Sequence, residues 1–213
     1  PYHETAPIQT LIHQLNLTPH IEGGYFSETD RDSRRITLPS HPNAPDYHHH
    51  HHHNSAATSK APHRSLSTHI FYLLTPHSPI GAFHRNRSRT IHTLHRGRGV
   101  YVILRNRDSN GSENGTDCDR DKHREKNISL ETFIVGQDTT HGERLQWIVE
   151  GGDYKATFLI PDGHGHGDDD SGGLLISETV IPGFEYSDHE FLRREDLKNM
   201  VDGKEFGEVE WLL

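Results

Sequence analysis

The sequence predicts an all-β fold, a sandwich or barrel of packed sheets, on two observations. From Ser67 onward, short runs rich in branched and aromatic residues follow one another closely. Turns of Gly, Pro, Asn and Asp separate most of them. A chain of 213 residues can bury a proper core, and it reads as one domain over residues 1–213. Its hydrophobic fraction is 31% and its mean hydropathy −0.82, but the polar excess is concentrated in a few segments.

The elements follow in order. Ile8, Leu11, Ile12 and Leu15 fall at helical spacing after Pro7, a residue suited to a first turn, and predict a short amphipathic helix. Gly23-Gly24 ends that region, and Tyr25 to Arg31 alternates as a strand. Residues 39–65 read as a Pro-, Ser- and His-rich low-complexity loop carrying six consecutive histidines, His48 to His53. Such a run binds metal in vitro without a fixed geometry. Strands are expected at Thr68–Leu74, around Phe83, and at Ile91–Leu94, Val100–Leu104, Leu130–Val135, Leu145–Val149, Lys155–Ile160 and Leu174–Ile181. The charged insert 106–127 and the Gly/Asp/His-rich loop 163–173 read as hairpin connections, the second imitating a metal site through His164, His166 and Asp168 to Asp170. Arg96-Gly-Arg-Gly99 reads as a hairpin turn. A helical segment near Glu195 to Val201 is expected to pack on the sheet exterior.

Composition excludes several function classes. A net charge of −9 and a pI near 6.1 argue against nucleic acid as a partner, despite the local run Arg85, Arg87, Arg89, Arg96 and Arg98. The lone Cys118 cannot form an internal disulfide and fits a reducing compartment. No apolar run approaches the roughly 20 residues of a membrane span, and no signal peptide is visible. The expected location is the cytoplasm, with the nucleus and any targeting signal upstream of Pro1 left open.

Candidate site residues come from strand alternation. In Thr90 to His95, period two sets Thr90, His92 and Leu94 on one face; if that face looks inward, His92 joins His84 as a general acid or base. Glu178, between Ile176 and Val180, should also face inward, where a carboxylate needs a partner such as Lys155. His84, His92 and Glu178 form the catalytic set. Glu22, Tyr25, Glu28 and Arg31 can orient a polyhydroxylated or carboxylated ligand, and Trp147 and Phe184 can stack on a ring. Each has a structural reading beside this one: a hydrogen-bonded histidine, an internal ion pair, a solvated strand face, a core aromatic.

Four stretches carry a resemblance: Glu22 to Arg31, Ser67 to His84, Gln146 to Phe158, and Ile176 to Phe184 running on to Asp188. Together they resemble cupin family 5, a cupin group once labelled only a domain of unknown function, and its fungal branch in particular. The resemblance implies a double-stranded β-helix, or jelly roll, commonly a homodimer, with a small-molecule pocket in the barrel. It brings no established reaction. On the cupin metal-binding pattern, His84 takes the first ligand position and Gly97 the closing glycine, but Asn86, Thr90 and Lys155 stand at the other three ligand positions. Arg89, Thr90 and Thr93 replace the Asp-Glu pair and following histidine of many members. No metal and no other cofactor is therefore expected, and Lys155 joins the substrate-binding set. Three readings stay open. One is a metal-free isomerase or epimerase acting on a carbohydrate or nucleotide-linked sugar. The second is a metal-dependent oxygenase or isomerase that recruits His84, His92 and Glu178. The third is a non-catalytic module that binds a small polar metabolite.

Overall fold

The computed structural model describes residues 3–38, 63–106, 128–161 and 172–213. The six-histidine run, Cys118 and the His164–Asp170 stretch lie outside these residues. Helix α1 (Ala6–Gln14) leads into β1 (Thr18–Pro19), β2 (Tyr25–Arg31), β3 (Arg35–Thr37) and β4 (His63–Ser65). Then come β5 (Thr68–Leu74), β6 (Ile80–Arg85), β7 (Arg89–Arg96), β8 (Gly99–Asn106) and β9 (Ile128–Val135). After β10 (Gln146–Val149), β11 (Tyr154–Leu159), β12 (Leu174–Ile181) and β13 (Glu190–Phe191), the chain ends in α2 (Arg194–Met200) and α3 (Gly203–Val209). The expected all-β jelly roll with one helix before it and a helical segment after it is the observed architecture.

Two antiparallel sheets face each other. The first has six strands in the order β1-β2-β5-β12-β7-β10, and the second five in the order β13-β6-β11-β8-β9; β3 and β4 form a separate ribbon. Tyr72, Leu74, Leu94, Tyr101, Ile103, Phe133, Trp147, Leu174 and Ile176 fill the space between the sheets. The strand alternation thus holds: in β7, Thr90, His92 and Leu94 are the buried set. On the outside of the first sheet, α1 packs Leu11, Ile12 and Leu15 over Leu17, Leu73 and Leu175. On the outside of the second, Leu197, Val201, Val209 and Leu212 cover Phe83, Val102, Leu104 and Ala156. An Asp202–Glu205 capping box starts α3, satisfying backbone N–H groups that the first turn leaves without partners.

Four expectations change. Residues 63–65 of the supposed 39–65 loop form β4 and pair with β3. Asn106, taken as the first residue of the insert, ends β8 and pairs with Ile128. Arg96-Gly-Arg-Gly99 is not a hairpin, because β7 and β8 belong to different sheets and the chain crosses between layers there. The same holds for the 163–173 connection, whose flanking strands β11 and β12 lie in opposite sheets. A local turn signal reports that the chain reverses, not which sheet receives it.

Candidate functional site

The interior of the sandwich holds a buried charge network. Lys155 on β11 reaches across from the second sheet to the first, where its Nζ donates to Glu178 Oε2 at 2.6 Å and to His92 Nε2 at 2.8 Å. Glu178 on β12 and His92 on β7 are register partners, which sets them side by side. Burial works to raise the Glu178 carboxyl, but the Lys155 ammonium and His92 overcome it and hold the group well below the usual carboxylate range. Burial and Lys155 push the His92 imidazole down, so it stays neutral at pH 7.

A second cluster forms beside the first. Gly23 and Gly24 adopt φ of +103° and +65°, and the Gly23 backbone lies so close to β6 that a Cβ would come within 2.0 Å of the Ile80 carbonyl oxygen. This approach lets the Ala82 N–H donate to the Glu22 carbonyl at 2.8 Å. The Ala82 carbonyl in turn accepts from His84 Nδ1 at 2.8 Å. One peptide-linked residue thus anchors both Glu22 and His84. His189 arrives from the other end of the chain, immediately before β13, which pairs with β6. The turn preceding it is pinned by Asp188, whose carboxylate accepts from Arg64 at 2.8 and 3.2 Å.

Within the cluster, His189 Nε2 donates to Glu22 Oε1 at 2.8 Å, and His84 Nε2 lies 3.2 Å from the same oxygen. His20 Nδ1 is 3.4 Å from Glu22 Oε2. The His84 and His189 rings stack with centroids 5.3 Å apart. Burial raises the Glu22 carboxyl, but His84, His189 and His20 outweigh it and keep the group well below its ordinary value. Burial drives His84 the other way, down to about 4 despite Glu22, so its imidazole is neutral at pH 7.

A cleft of about 540 Å³, its solvent-open mouth included, lies against both networks. Glu22, Glu28, Arg31, Asn86 and Glu178 give it polar groups; Phe26, Ile70, Val180, Phe184 and Tyr186 give it apolar surface. Arg31 is already engaged, by Glu28 at 2.8 and 2.9 Å and by the Phe184 carbonyl and Glu185. A second cleft, lined by Arg85, Asn86, Arg87, Asp188 and His189, opens on the other side of Asn86.

Of the residues expected at the site, the structure gathers Glu22, Glu28, Arg31, Glu178 and Phe184 on the cleft wall, with His84 buried beside Glu22. The other four, like His84, do not line it. His92 is fully buried, sealed behind Glu178 and between Tyr101 and Trp147, so it cannot touch a ligand directly. Lys155 stands behind Glu178 as its counter-ion. Trp147 is a core aromatic, stacked on His92 at 5.2 Å. Tyr25 points to the outside of the first sheet, packing with the α1 contacts and donating to Glu4. A single residue of register decides between Tyr25 outside and Phe26 inside.

His20, Asn86, Tyr186 and His189 were not foreseen as site residues. His189 was within reach: it follows Asp188, where the fourth family-like stretch was taken to stop. The cupin ligand pattern does not fit a metal here, because Lys155 places an ammonium at the fourth position and commits it to Glu178 and His92. Glu22, His84 and His189 instead offer three donor atoms within 4.8 Å of one another.

Residues 9–192 match a family model described as Cupin superfamily (DUF985). The uncharacterized protein YML079W of Saccharomyces cerevisiae is 37% identical over 208 residues, which cover 97% of this chain and 86% of the yeast protein. Among solved structures, a hypothetical protein from Leishmania major superposes with a TM-score of 0.68 at 25% identity, over 98% of each chain. A protein of Shewanella oneidensis gives a TM-score of 0.62 at 21% identity over 99% of this chain and 98% of its own, a likeness of fold.

Proposed function

The chain belongs to the Cupin superfamily (DUF985) family, and from that premise we propose that its cleft binds a small, neutral, hydroxyl-rich molecule of the carbohydrate class. The observation that carries this reading is the Glu178 carboxylate, on the cleft wall yet kept ionised from behind by Lys155 at 2.6 Å. A carboxylate fixed in this way accepts hydrogen bonds from ligand hydroxyls without titrating near neutral pH. Glu22 and Glu28 add two more acceptors, and Phe184 with Tyr186, rings 5.2 Å apart, offers an apolar face for sugar C–H groups.

The charge balance favours a neutral ligand over a nucleotide-linked sugar. Three carboxylates line the cleft, and its one arginine is already paired. A phosphate there would meet like charge. The reading stops at binding. An isomerase passing a proton between His84 or His92 and Glu178 needs both groups at the substrate, but His92 is sealed in the core, His84 is buried beside Glu22, and Glu178 is kept ionised by Lys155.

The test uses protein prepared without a metal column and with His48 to His53 replaced by serine. Native mass spectrometry reports any retained organic molecule, and calorimetry with pentoses, hexoses and their phosphate esters reports charge preference. Neutral sugars should bind, and Phe184→Ala should weaken them about 5- to 30-fold, as expected for a lost ring contact of about 1–2 kcal/mol. Binding of phosphate esters alone would refute the reading.

A further inference from the structure

We infer that Glu22, His84 and His189 form a binding site for a divalent first-row transition cation, in which His84, at the first ligand position of the cupin pattern, is joined by two residues from outside that pattern. It goes beyond the sugar-binding reading and stands whether or not that reading holds.

The argument begins with the protons. A carbonyl can only accept, so the 2.8 Å contact between His84 Nδ1 and the Ala82 oxygen fixes the ring proton on Nδ1. Nε2 is then the ring nitrogen left to meet a cation. That nitrogen is buried, makes no hydrogen bond among the described residues, and faces Glu22 Oε1 at 3.2 Å. A buried ring nitrogen without a hydrogen bond and a carboxylate oxygen 3.2 Å away make an arrangement that a cation between them satisfies.

The third donor completes the set. His189 Nε2 lies 2.8 Å from the same Glu22 oxygen. Donor atoms around one such cation, at bond lengths of about 2.0–2.2 Å, stand about 3.0–3.5 Å apart, so separations of 2.8 and 3.2 Å need only a small relaxation. For His189 Nε2 to hold the cation, the proton that this nitrogen now gives to Glu22 moves to Nδ1, the tautomer in which a neutral imidazole ligates through Nε2. Two imidazoles and a carboxylate make a donor set suited to iron(II), cobalt(II), nickel(II) or zinc(II).

The surroundings agree. The Nδ1–H bond of His84 to a backbone carbonyl is the outer contact that orients metal-ligating histidines. Asn86, whose amide oxygen is buried without a hydrogen bond, lines both clefts beside the cluster; Glu22 lines one and His189 the other. A cation here is reachable from solvent and from the sugar cleft.

The probe is cobalt(II) alone, titrated into the His48–His53 serine variant, with visible ligand-field bands and native mass spectrometry as readouts. We expect one cobalt per chain in addition to any held by the other histidine segments, with a band that reports nitrogen and oxygen ligands. His189→Asn and Glu22→Gln should each abolish that band or weaken binding at least about 100-fold, with far-UV circular dichroism unchanged. If Glu22→Gln fails to fold, His189→Asn decides, since the His189 side chain makes one described hydrogen bond, to Glu22, and otherwise only ring contacts with His84, Phe184 and Phe191. Absence of the band in the parent, or a band that survives His189→Asn, overturns the assignment. Sugar calorimetry with and without cobalt separates failure of this site from failure of the ligand reading.

Discussion

Replacing Lys155 by methionine tests whether the two sheets are tied by an internal ion pair. The substitution keeps the length of the side chain and removes its charge, leaving the Glu178 carboxylate buried with only His92 beside it. Breaking a buried pair from one side costs about 3–5 kcal/mol. Lys155→Met should therefore lower the unfolding free energy by that amount at pH 7, read by urea denaturation through Trp147 fluorescence. The pH dependence provides a second check. In the parent, the depressed Glu178 value contributes stability that is complete above the ordinary carboxylate value of 4.5 and is lost as pH falls below it. Without Lys155, burial takes over and raises the carboxyl above that value, so the folded variant binds a proton before the unfolded chain does. Its deficit should shrink as pH falls from 7 towards 5. Removing both charges, as Lys155→Met with Glu178→Leu, should recover most of the loss, because an apolar pair of similar volume needs no counter-ion. A loss below about 1 kcal/mol for Lys155→Met, or a double variant as unstable as the two single losses summed, would refute the reasoning.

Further predictions follow from other parts of the molecule. Gly23→Ala should cost about 1–3 kcal/mol and displace Glu22, because φ is +103° and the new methyl meets the Ile80 carbonyl; a chemical melt and the cobalt band measure the two effects. His92 is buried neutral, with its value depressed in the folded state, so the unfolded chain takes up its proton first. Stability should fall as pH drops below about 6.5, and His92→Gln should make that slope shallower in melts between pH 7 and 5. Asp202→Ala removes the α3 cap, in which Asp202 accepts from two backbone N–H groups, and should cost about 1 kcal/mol in urea melts.

The fold was legible because its strands are short, apolar on alternate residues and closely spaced, and because α1 carries its periodicity on a few residues. The inward face of β7 was legible as a pair of alternatives, which burial then resolved. What sequence pattern could not supply was depth. Alternation sets Thr90, His92 and Leu94 on one face, but does not say that Glu178, Tyr101 and Trp147 close over His92. Nor does it say which sheet receives the next strand, which is why the turn signal at Gly97 points to a hairpin where the chain crosses between layers. His189 escaped for another reason: an isolated histidine in a polar segment acquires meaning only from β13 pairing with β6 and from Asp188 binding Arg64.

The Ala82 residue, which holds Glu22 and His84 through backbone atoms alone, has a consequence for how the site comes into being. Its three donors come from the first, middle and last thirds of the chain, and no local segment of the polypeptide contains two of them. The cluster therefore exists only once both ends of the chain have docked on β6, late in the order of events that long sequence separation imposes. A cation or ligand that recognises all three residues binds the native state and not its precursors. At a hundred times its dissociation constant it would add about 2.7 kcal/mol to that state, so occupancy of the site would report on completed folding as well as on chemistry.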